Sequence, residues 1–311
     1  MKALAVLIAA TLAGPARAAP PEPATCRTVR LASPGWSDID ATNAVLGLLL
    51  KGMGYRSDVR TLSVPLAYQG LRSGQLDVFL GNWMPAQGPM VAPLLERQQV
   101  ELLGTNLDQA RFTLAVPAYA AEAGVRSFAD LAARADQFSR RIYGIEAGAP
   151  ANEAIKKMIA SNAHGLGGWT LVESSDTGLL SQVTHDIRAR RMTVFLAWEP
   201  HVMNARFDLR YLTGGEAHFG ADAGAASVRT VGRTGYRAQC PNVARLLAQL
   251  KFTVPLENQL IALTVDKRQP ADVAATTVLR QHPDLLQRWL DGVVDQDGAP
   301  ALAAVRKLIR S

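Results

Sequence analysis

Three tryptophans share one kind of position, because each follows a short apolar run that predicts a β-strand. They are Trp36, Trp83 and Trp198. In open α/β sheets, ligands bind at the carboxyl ends of the strands. Several indole faces meeting there suit a cation without N–H groups, since a trimethylammonium group is held by the negative faces of aromatic rings. The positions therefore predict an aromatic box for a quaternary ammonium group.

Asp38 lies two residues after Trp36, at the start of a predicted helix. The helix dipole favours a carboxylate there, so we expect Asp38 to stay ionised and to attract a cation. Plainer interpretations remain open. A tryptophan at a strand end is often only a core residue, and either Asp38 or Ser37 could be the N-cap. Trp169 and Trp289, in a strand and an apolar helix, are predicted to be packing residues.

The elements that must position these residues alternate between strands and helices. The first group is a strand at Thr28–Ser33, a helix at 38–53, a strand at 58–62, a helix at 65–73 and a strand at 76–80. This β-α-β-α-β order implies a parallel sheet with right-handed crossovers. Strands are also predicted at 100–103 and 111–117, and the second of these would carry the chain into another lobe.

The alternation then resumes and ends in a helical region. The predicted elements are helices at 128–135, 150–161 and 177–190, strands at 141–145, 169–172 and 193–197, a loop at 214–226, a strand at 228–231, and helices at 242–250, 256–263, 272–281, 284–293 and 301–309. Prolines at the starts of several of these helices support the boundaries. The strand at 228–231 is predicted to return the chain to the first lobe.

The first residues have the features of a secretory signal peptide: Lys2, an apolar run from Ala3 to Ala13, and the small residues around Arg17. We expect residues 1–18 to be removed near Ala18 and the chain to be exported, most simply to a bacterial periplasm. The remaining length favours two lobes over one core. The formal charge is +6, but no basic stripe with aromatic residues occurs, which argues against nucleic-acid binding.

The two cysteines of the chain are Cys26 and Cys240. In an exported protein an even count suggests a disulfide. Metal ligation is the alternative, but neither a Cys-x-x-Cys motif nor a ligand spacing among the five histidines supports it. We therefore expect neither a metal nor a cofactor.

Five segments together resemble a known family. The segments "GWSDIDAT", "LDVFLGNWMP", "RFTLAVP", "YGIEAG" and "FLAWEPH" resemble the choline/glycine betaine substrate-binding proteins of bacterial ABC importers, the choline-binding branch above all. The resemblance implies the α/β fold of a type II periplasmic binding protein, in which each of two lobes is a mostly parallel sheet flanked by helices and the ligand cleft lies between them. We expect residues 26–110 and 218–311 to form lobe 1 and residues 111–217 to form lobe 2.

The resemblance also assigns site residues. It places the family's aromatic box on the three tryptophans and Phe112, and the acid beside the ammonium group on Asp38. The family's ring at 112 is usually tyrosine, so Phe112 keeps the ring and lacks the hydroxyl. The asparagine that meets the choline hydroxyl corresponds to Ala149, and Asn152 follows one helical turn later. The choline-binding branch has a disulfide at the places of the two cysteines.

We therefore expect a periplasmic solute-binding protein, not an enzyme, that captures choline and delivers it as a monomer to an ABC permease of the inner membrane. Within the same class, the ligand could be glycine betaine, carnitine or another quaternary ammonium compound. The opening of the helix at 150–153 could offer amides to a betaine carboxylate, but Asp38 and Glu146 would oppose an anion.

Two other classes stay open. A hydrolase acting on a choline-like substrate could use Asp176, Ser181, His185 and His201, although neither a Gly-x-Ser-x-Gly elbow nor a metal signature occurs. A receptor domain that senses a ligand without transporting it has the same sequence features as a transport protein.

Overall fold

The computed structural model describes residues 22–310, so the expected signal peptide lies outside the described residues. The strands are β1 (Thr28–Ser33), β2 (Arg56–Thr61), β3 (Val78–Met84), β4 (Val100–Pro117), β5 (Arg141–Tyr143), β6 (Thr170–Val172), β7 (Phe195–Glu199), β8 (Leu209–Tyr211) and β9 (Ala225–Arg233). In this part of the chain no helix combines the length and the apolar character that crossing a bilayer requires.

The helices lie between and after these strands. They are α1 (Ser37–Gly52), α2 (Val64–Arg72), α3 (Gly88–Glu96), α4 (Ala118–Glu122), α5 (Ala129–Ala132), α6 (Pro150–Ala160), α7 (Asp176–Arg188), α8 (Met203–Arg206), α9 (Glu216–Phe219), α10 (Ala221–Gly224), α11 (Tyr236–Gln239), α12 (Pro241–Gln249), α13 (Val254–Ile261), α14 (Ala271–Gln281), α15 (Pro283–Trp289) and α16 (Ala301–Arg310). Eight of the longer helices agree with the predicted ones to within about two residues: α1, α2, α6, α7, α12, α13, α14 and α16. The nine-residue α3 has no predicted counterpart.

The strands form one curled sheet in the order β2-β1-β3-β9-β4-β7-β5-β6, with β8 paired to β4. Strand β1 is parallel to β2 and β3, and β5 is parallel to β6 and β7. Between these parallel groups, β9 pairs antiparallel with both β3 and β4, and β4 pairs antiparallel with β7. The expected two-lobed α/β fold is confirmed. We call the lobe built on β1–β3 lobe 1 and the lobe built on β5–β7 lobe 2.

Strand β4 differs from its prediction, because the two strands expected at 100–103 and 111–117 are one strand of 18 residues. Its pairing with β9 shifts register three times between Leu102 and Ala110. Each bulge adds an unpaired residue and interrupts the alternation of buried and exposed side chains. In the sequence, this interrupted alternation predicts two short strands. In the structure, pairing with β9 makes them one continuous strand.

Two of the tryptophans lie inside strands and not after them, which corrects the prediction. Strand β3 continues past Gly81 to Met84, and Trp83 pairs with Val228 of β9. A Cβ on Gly81 would lie 2.8 Å from the ring of Phe79. Gly81 is therefore required by close packing and does not end the strand. Trp198 likewise belongs to β7.

Smaller differences concern loops and short helices. The segment 214–226, expected to be a loop, contains the four-residue helices α9 and α10. The helix expected at 128–135 is reduced to α5, and the helix expected at 284–293 ends at Trp289. Single-turn helices carry little periodicity, so neighbouring structure decides their extent.

The predicted packing residues and the disulfide are confirmed. The ring centre of Trp169 is 5.9 Å from that of Phe138, and the ring centre of Trp289 is 5.3 Å from that of Phe252. Both tryptophans are buried. Cys26 and Cys240 are disulfide-bonded with their Cα atoms 5.7 Å apart. The bond joins the segment before β1 to the start of α12.

Candidate functional site

Trp36 lies between β1 and α1 and occupies the N-cap position of the helix. Its backbone carbonyl accepts from the amide of Asp40, so neither Asp38 nor Ser37 is the N-cap residue. The indole N–H donates to both carboxylate oxygens of Glu146 at 3.0 and 3.1 Å. Glu146 follows β5, so this contact joins lobe 1 to lobe 2.

Trp83 and Phe112 come from neighbouring parts of the sheet. The indole N–H of Trp83 donates to Oδ2 of Asp38 at 3.0 Å. The ring of Phe112, on β4, meets that of Trp83 edge-on with centres 6.2 Å apart. A Cβ on Gly224 would lie 2.2 Å from the carbonyl oxygen of Phe112, so only glycine allows the chain to pass this close.

Trp198 stands opposite Phe112 in the β4–β7 register. Its ring centre is 4.4 Å from that of His201. The Nδ1 atom of His201 accepts from the amide of Met203 at 3.1 Å, so the proton lies on Nε2, which donates to Oδ1 of Asp176 at 2.8 Å. His201 thus packs against the ring of Trp198 and donates a hydrogen bond to the carboxylate of Asp176.

These rings surround one concave, mainly apolar cavity, the usual character of a small-molecule site. Its lining is mainly apolar and consists of Trp36, Trp83, Ala86, Gln87, Phe112, Ile145, Ala149, Pro150, Ala151, Leu196 and Trp198. Each of the three tryptophans is 6% exposed. The four predicted rings are therefore brought together, three from β3, β4 and β7 and one from the loop before α1.

Asp38 lies behind the ring of Trp83 and is 1% exposed. Burial, followed by the charge of Asp176, raises the pKa of Asp38 to about 7, although the Trp83 N–H and the first amides of α1 oppose the rise. The expectation that the helix N-terminus would keep Asp38 fully ionised is wrong, because burial outweighs the helix. Its Oδ1 atom accepts no hydrogen bond within the described residues.

The two predicted tail residues have different positions. Ala149 is buried, lines the cavity and precedes the first residue of α6. Asn152 does not line the cavity. Its side-chain oxygen accepts from the amide of Ile145 at 3.1 Å. Its side-chain NH₂ group donates to the carbonyls of Ile145 and Glu146 and to the carboxylate of Glu173, at 2.9–3.1 Å. Asn152 therefore braces the loop that carries Glu146.

The residues considered for hydrolysis do not form a catalytic group. Asp176 and His201 are hydrogen-bonded, but the Ser181 hydroxyl donates to the carbonyl of Thr177 on its own helix. His185 contacts the guanidinium of Arg191 at 2.9 Å. The serine and the Asp176–His201 pair thus have separate partners.

Sequence reasoning missed the contacts between the lobes. The amide of Ser37 donates to Oδ2 of Asp176 at 3.0 Å, and Trp36 donates to Glu146 as described above. These partners are 139 and 110 residues apart in sequence, so no local pattern could join them. The one available signal was that Glu146 belongs to the segment "YGIEAG".

A family model matches residues 27–279, and its description is the substrate-binding domain of an ABC-type glycine betaine transport system. The chain belongs to this family. Family members are binding components of transport systems and not enzymes. The chain is thus a substrate-binding domain of the ABC glycine betaine/choline transport class.

Solved structures agree with this membership. A structure of an ABC-transporter choline-binding protein in complex with choline has a TM-score of 0.91 and 42% sequence identity, covering 93% of this chain and all of its own. Lactococcal OpuAC, closed on glycine betaine, has a TM-score of 0.76 and 26% identity, covering 85% of this chain and 99% of its own.

Curated relatives also match parts of the chain. The glycine betaine/carnitine transport binding protein GbuC of Listeria monocytogenes is 27% identical over 163 residues, which are 52% of this chain and 53% of GbuC. An uncharacterized protein ORF1 of Chromohalobacter salexigens is 52% identical over 128 residues, which are 41% of this chain and 83% of ORF1.

Proposed function

We propose that this protein captures choline in the aromatic box and delivers it to an ABC permease. The observation that carries the proposal is the convergence of Trp36, Trp83, Phe112 and Trp198 on one cavity. Each ring face in contact with a trimethylammonium group would contribute about 0.5–2 kcal/mol, with the larger values in a desolvated site. Three rings come from indoles, the side chains that bind cations best in this way.

Asp38 would supply the charge that the rings lack. Because its Oδ1 atom has no other partner within the described residues, a cation in the cavity is the natural counter-charge for the ionised form. Binding would thus favour ionisation of a carboxyl that burial holds partly protonated near neutral pH. The 42%-identical protein that binds choline supports the choice of this ligand.

Glycine betaine or carnitine is the alternative ligand, and the relatives that bind them support it. A betaine tail carries a carboxylate, which needs N–H donors or a positive charge. Helix α6 begins at the cavity and could offer amides. Against this, Asp38 and Glu146 accept hydrogen bonds from two of the rings, and their charge would repel a second carboxylate. Choline carries no such group, so we favour it.

The setting of this function is also a proposal. We propose that residues 1–18 direct export to the periplasm and that the protein works there as a monomer with a permease of the inner membrane. We assign residues 26–110 and 218–311 to lobe 1 and residues 111–217 to lobe 2. This division places the crossing between lobes within β4 and before β9, the two strands that pair in the middle of the sheet.

A thermal-shift and calorimetric screen tests the ligand. Choline, acetylcholine, glycine betaine, carnitine, proline betaine and ethanolamine are compared, with ethanolamine as the control because it has N–H groups and no methyls. Choline at 100 times its dissociation constant should stabilise the protein by about 2.7 kcal/mol, with one-to-one stoichiometry and no turnover. If none of the trimethylammonium compounds stabilises the protein, the proposal is wrong.

A further inference from the structure

The segment 36–38 carries two groups of the site and makes two hydrogen bonds to the other lobe. The indole N–H of Trp36 donates to Glu146 at 3.0 and 3.1 Å. The amide of Ser37, one residue later, donates to Asp176 at 3.0 Å. Both donors belong to lobe 1 and both acceptors to lobe 2. The same short segment that places the ring of Trp36 in the cavity lining and Asp38 behind the ring of Trp83 therefore also ties the lobes together.

The second of these contacts extends to another ring of the cavity. Asp176 is held by Nε2 of His201 at 2.8 Å, and this histidine is fixed by the amide of Met203 at 3.1 Å. His201 is 1% exposed, and its ring lies against that of Trp198. A continuous path thus leads from the Ser37 amide through Asp176 and His201 to the face of Trp198.

We propose that Glu146 and the Asp176–His201 pair are positioning residues that hold the cleft closed around the bound cation. This inference rests on the proposed function, because the cation is the one that the box is proposed to bind. Neither acceptor can keep its bond when the lobes separate, since the donors move with Trp36 and Ser37. Opening the cleft therefore requires both bonds to break, and their loss should speed ligand release.

The chemistry of the acceptors supports a role beyond simple packing. Each bond joins an N–H donor to a carboxylate, the stronger kind of hydrogen bond. Burial raises the pKa of Glu146 from its ordinary value, while the Trp36 N–H opposes the rise. Burial also disfavours ionisation of Asp176, but the hydrogen bonds from His201 and from the amide of Ser37 lower its pKa overall. Asp176 is therefore a charged acceptor over the neutral range of pH.

Stopped-flow tryptophan fluorescence with choline tests the inference through the two rate constants. Glu146→Ala and Asp176→Ala should each raise the dissociation rate by about tenfold or more, the usual worth of a hydrogen bond to a charged group. The association rate should change much less than the dissociation rate, because affinity differences among related complexes reside mostly in dissociation. Unchanged dissociation rates in both variants would overturn the inference.

Matched variants distinguish a positioning role of these carboxylates from a general loss of structure. Glu146→Gln keeps an acceptor oxygen for Trp36, so its dissociation rate should lie closer to the unmodified value than that of Glu146→Ala. Asp186→Ala removes another buried carboxylate of α7, one that bonds Gln182 and lies away from the cavity lining, and should leave the rate unchanged. A rate increase in Asp186→Ala equal to that in Asp176→Ala would contradict the inference.

A double-mutant cycle tests the specific contact. Trp36→Phe removes the N–H donor and keeps a ring, so Glu146→Ala should have little further effect on dissociation in that background. If the two substitutions instead raise the dissociation rate independently, so that their fold-changes multiply, the two residues do not act through their bond.

The proposed ligand and the proposed positioning role can fail separately. If the unmodified protein binds nothing in the thermal-shift screen, the ligand proposal fails, and small-angle X-ray scattering of the ligand-free proteins then decides the role of the acceptors. The double variant Glu146→Ala/Asp176→Ala should have a larger radius of gyration than the unmodified protein. Equal radii would overturn the positioning role.

Discussion

The indole N–H of Trp83 donates to Oδ2 of Asp38 at 3.0 Å, while Oδ1 of the same carboxyl has no hydrogen-bond partner within the described residues. One ring of the cavity therefore also orients its nearest acid. The bond favours the ionised form, whereas burial disfavours it more strongly, and the pKa of Asp38 is raised to about 7. A bound cation would add the missing stabilisation of the charge.

Choline binding should consequently depend on pH through Asp38. Protonation competes with the cation, so the dissociation constant should rise as pH falls below about 7, by up to tenfold per unit, and should level off above about pH 8. Asp38→Asn should weaken binding at pH 8 and abolish the slope. Isothermal titration calorimetry between pH 5.5 and 8.5 measures both effects. A flat profile for the unmodified protein would contradict the prediction.

Two further observations sharpen this pH experiment. Burial also raises the pKa of Glu257, on α13, and the charge of Asp38 raises it further. Because Glu257 lies outside the cavity lining, Glu257→Gln should keep the slope. The folding stability of the ligand-free protein should depend on pH in the opposite direction. The raised pKa of Asp38 stabilises the folded state below about pH 4, and this contribution is lost as pH rises through about 7.

Substitutions of tryptophan should separate box residues from core residues. Trp36→Ala, Trp83→Ala and Trp198→Ala should each weaken choline binding by about twofold to thirtyfold, the worth of one ring face. Trp169→Ala and Trp289→Ala should instead lower the free energy of unfolding by about 3–5 kcal/mol and leave the dissociation constant within about threefold. Calorimetry and urea unfolding give the two quantities. The opposite assignment of effects would show that box and core have been confused.

Most of the long α-helices and most strand positions could be predicted from the sequence, because buried faces such as Val45, Leu46 and Leu49 of α1 repeat with the helical period. Helix α3 is the exception, since only Val91 of its residues is buried and no such face repeats. The ends of β3 could not be predicted either. The Gly81–Asn82 pair is locally a turn signal, but pairing with β9 and packing against Phe79 keep it in the strand. Local preference gives way to tertiary contacts at such places.

The candidate site shows the same division. Three of its rings could be found because tryptophan is rare and Trp36, Trp83 and Trp198 each lie near the end of a strand. Phe112 lies inside β4 and is assigned only through the family resemblance. The raised pKa of Asp38 could not be predicted from the sequence. It depends on burial behind Trp83 and on the charge of Asp176, which comes from the other lobe. The bond from Trp36 to Glu146 could not be found either, because it forms only when two lobes meet.

The Cys26–Cys240 disulfide should contribute about 2–4 kcal/mol to stability by restricting the unfolded chain. It closes a loop with a sequence separation of 214 residues. The double variant Cys26→Ala/Cys240→Ala should unfold at lower urea concentration and bind choline as before, because neither cysteine lines the cavity. A reductant should destabilise the unmodified protein and leave the variant unaffected. Two free thiols, found by alkylation and mass spectrometry without reductant, would contradict the prediction.

Selectivity at the far end of the cavity should be loose, and Ala149 is the reason. Ala149, Pro150, Ala151, Ile145 and Leu196 line the cavity with apolar side chains, and the amide of Asn152 is occupied by the loop that it braces. A neutral hydrogen bond is worth about 0.5–1.5 kcal/mol, so choline should exceed ethyltrimethylammonium in affinity by at most about twofold to twelvefold.

Ala149→Asn should widen this gap between choline and ethyltrimethylammonium, since it places an amide beside the hydroxyl. Phe112→Tyr should widen it less, because it adds one hydroxyl to a ring that already contacts Trp83 and Phe219. Ala154→Asn, on the same helix α6 but outside the cavity lining, is the control and should change nothing. Competition calorimetry with the two ligands measures each ratio. A hundredfold preference for choline in the unmodified protein would mean that another group hydrogen-bonds to the choline hydroxyl. Asp38 would then be the first residue to test.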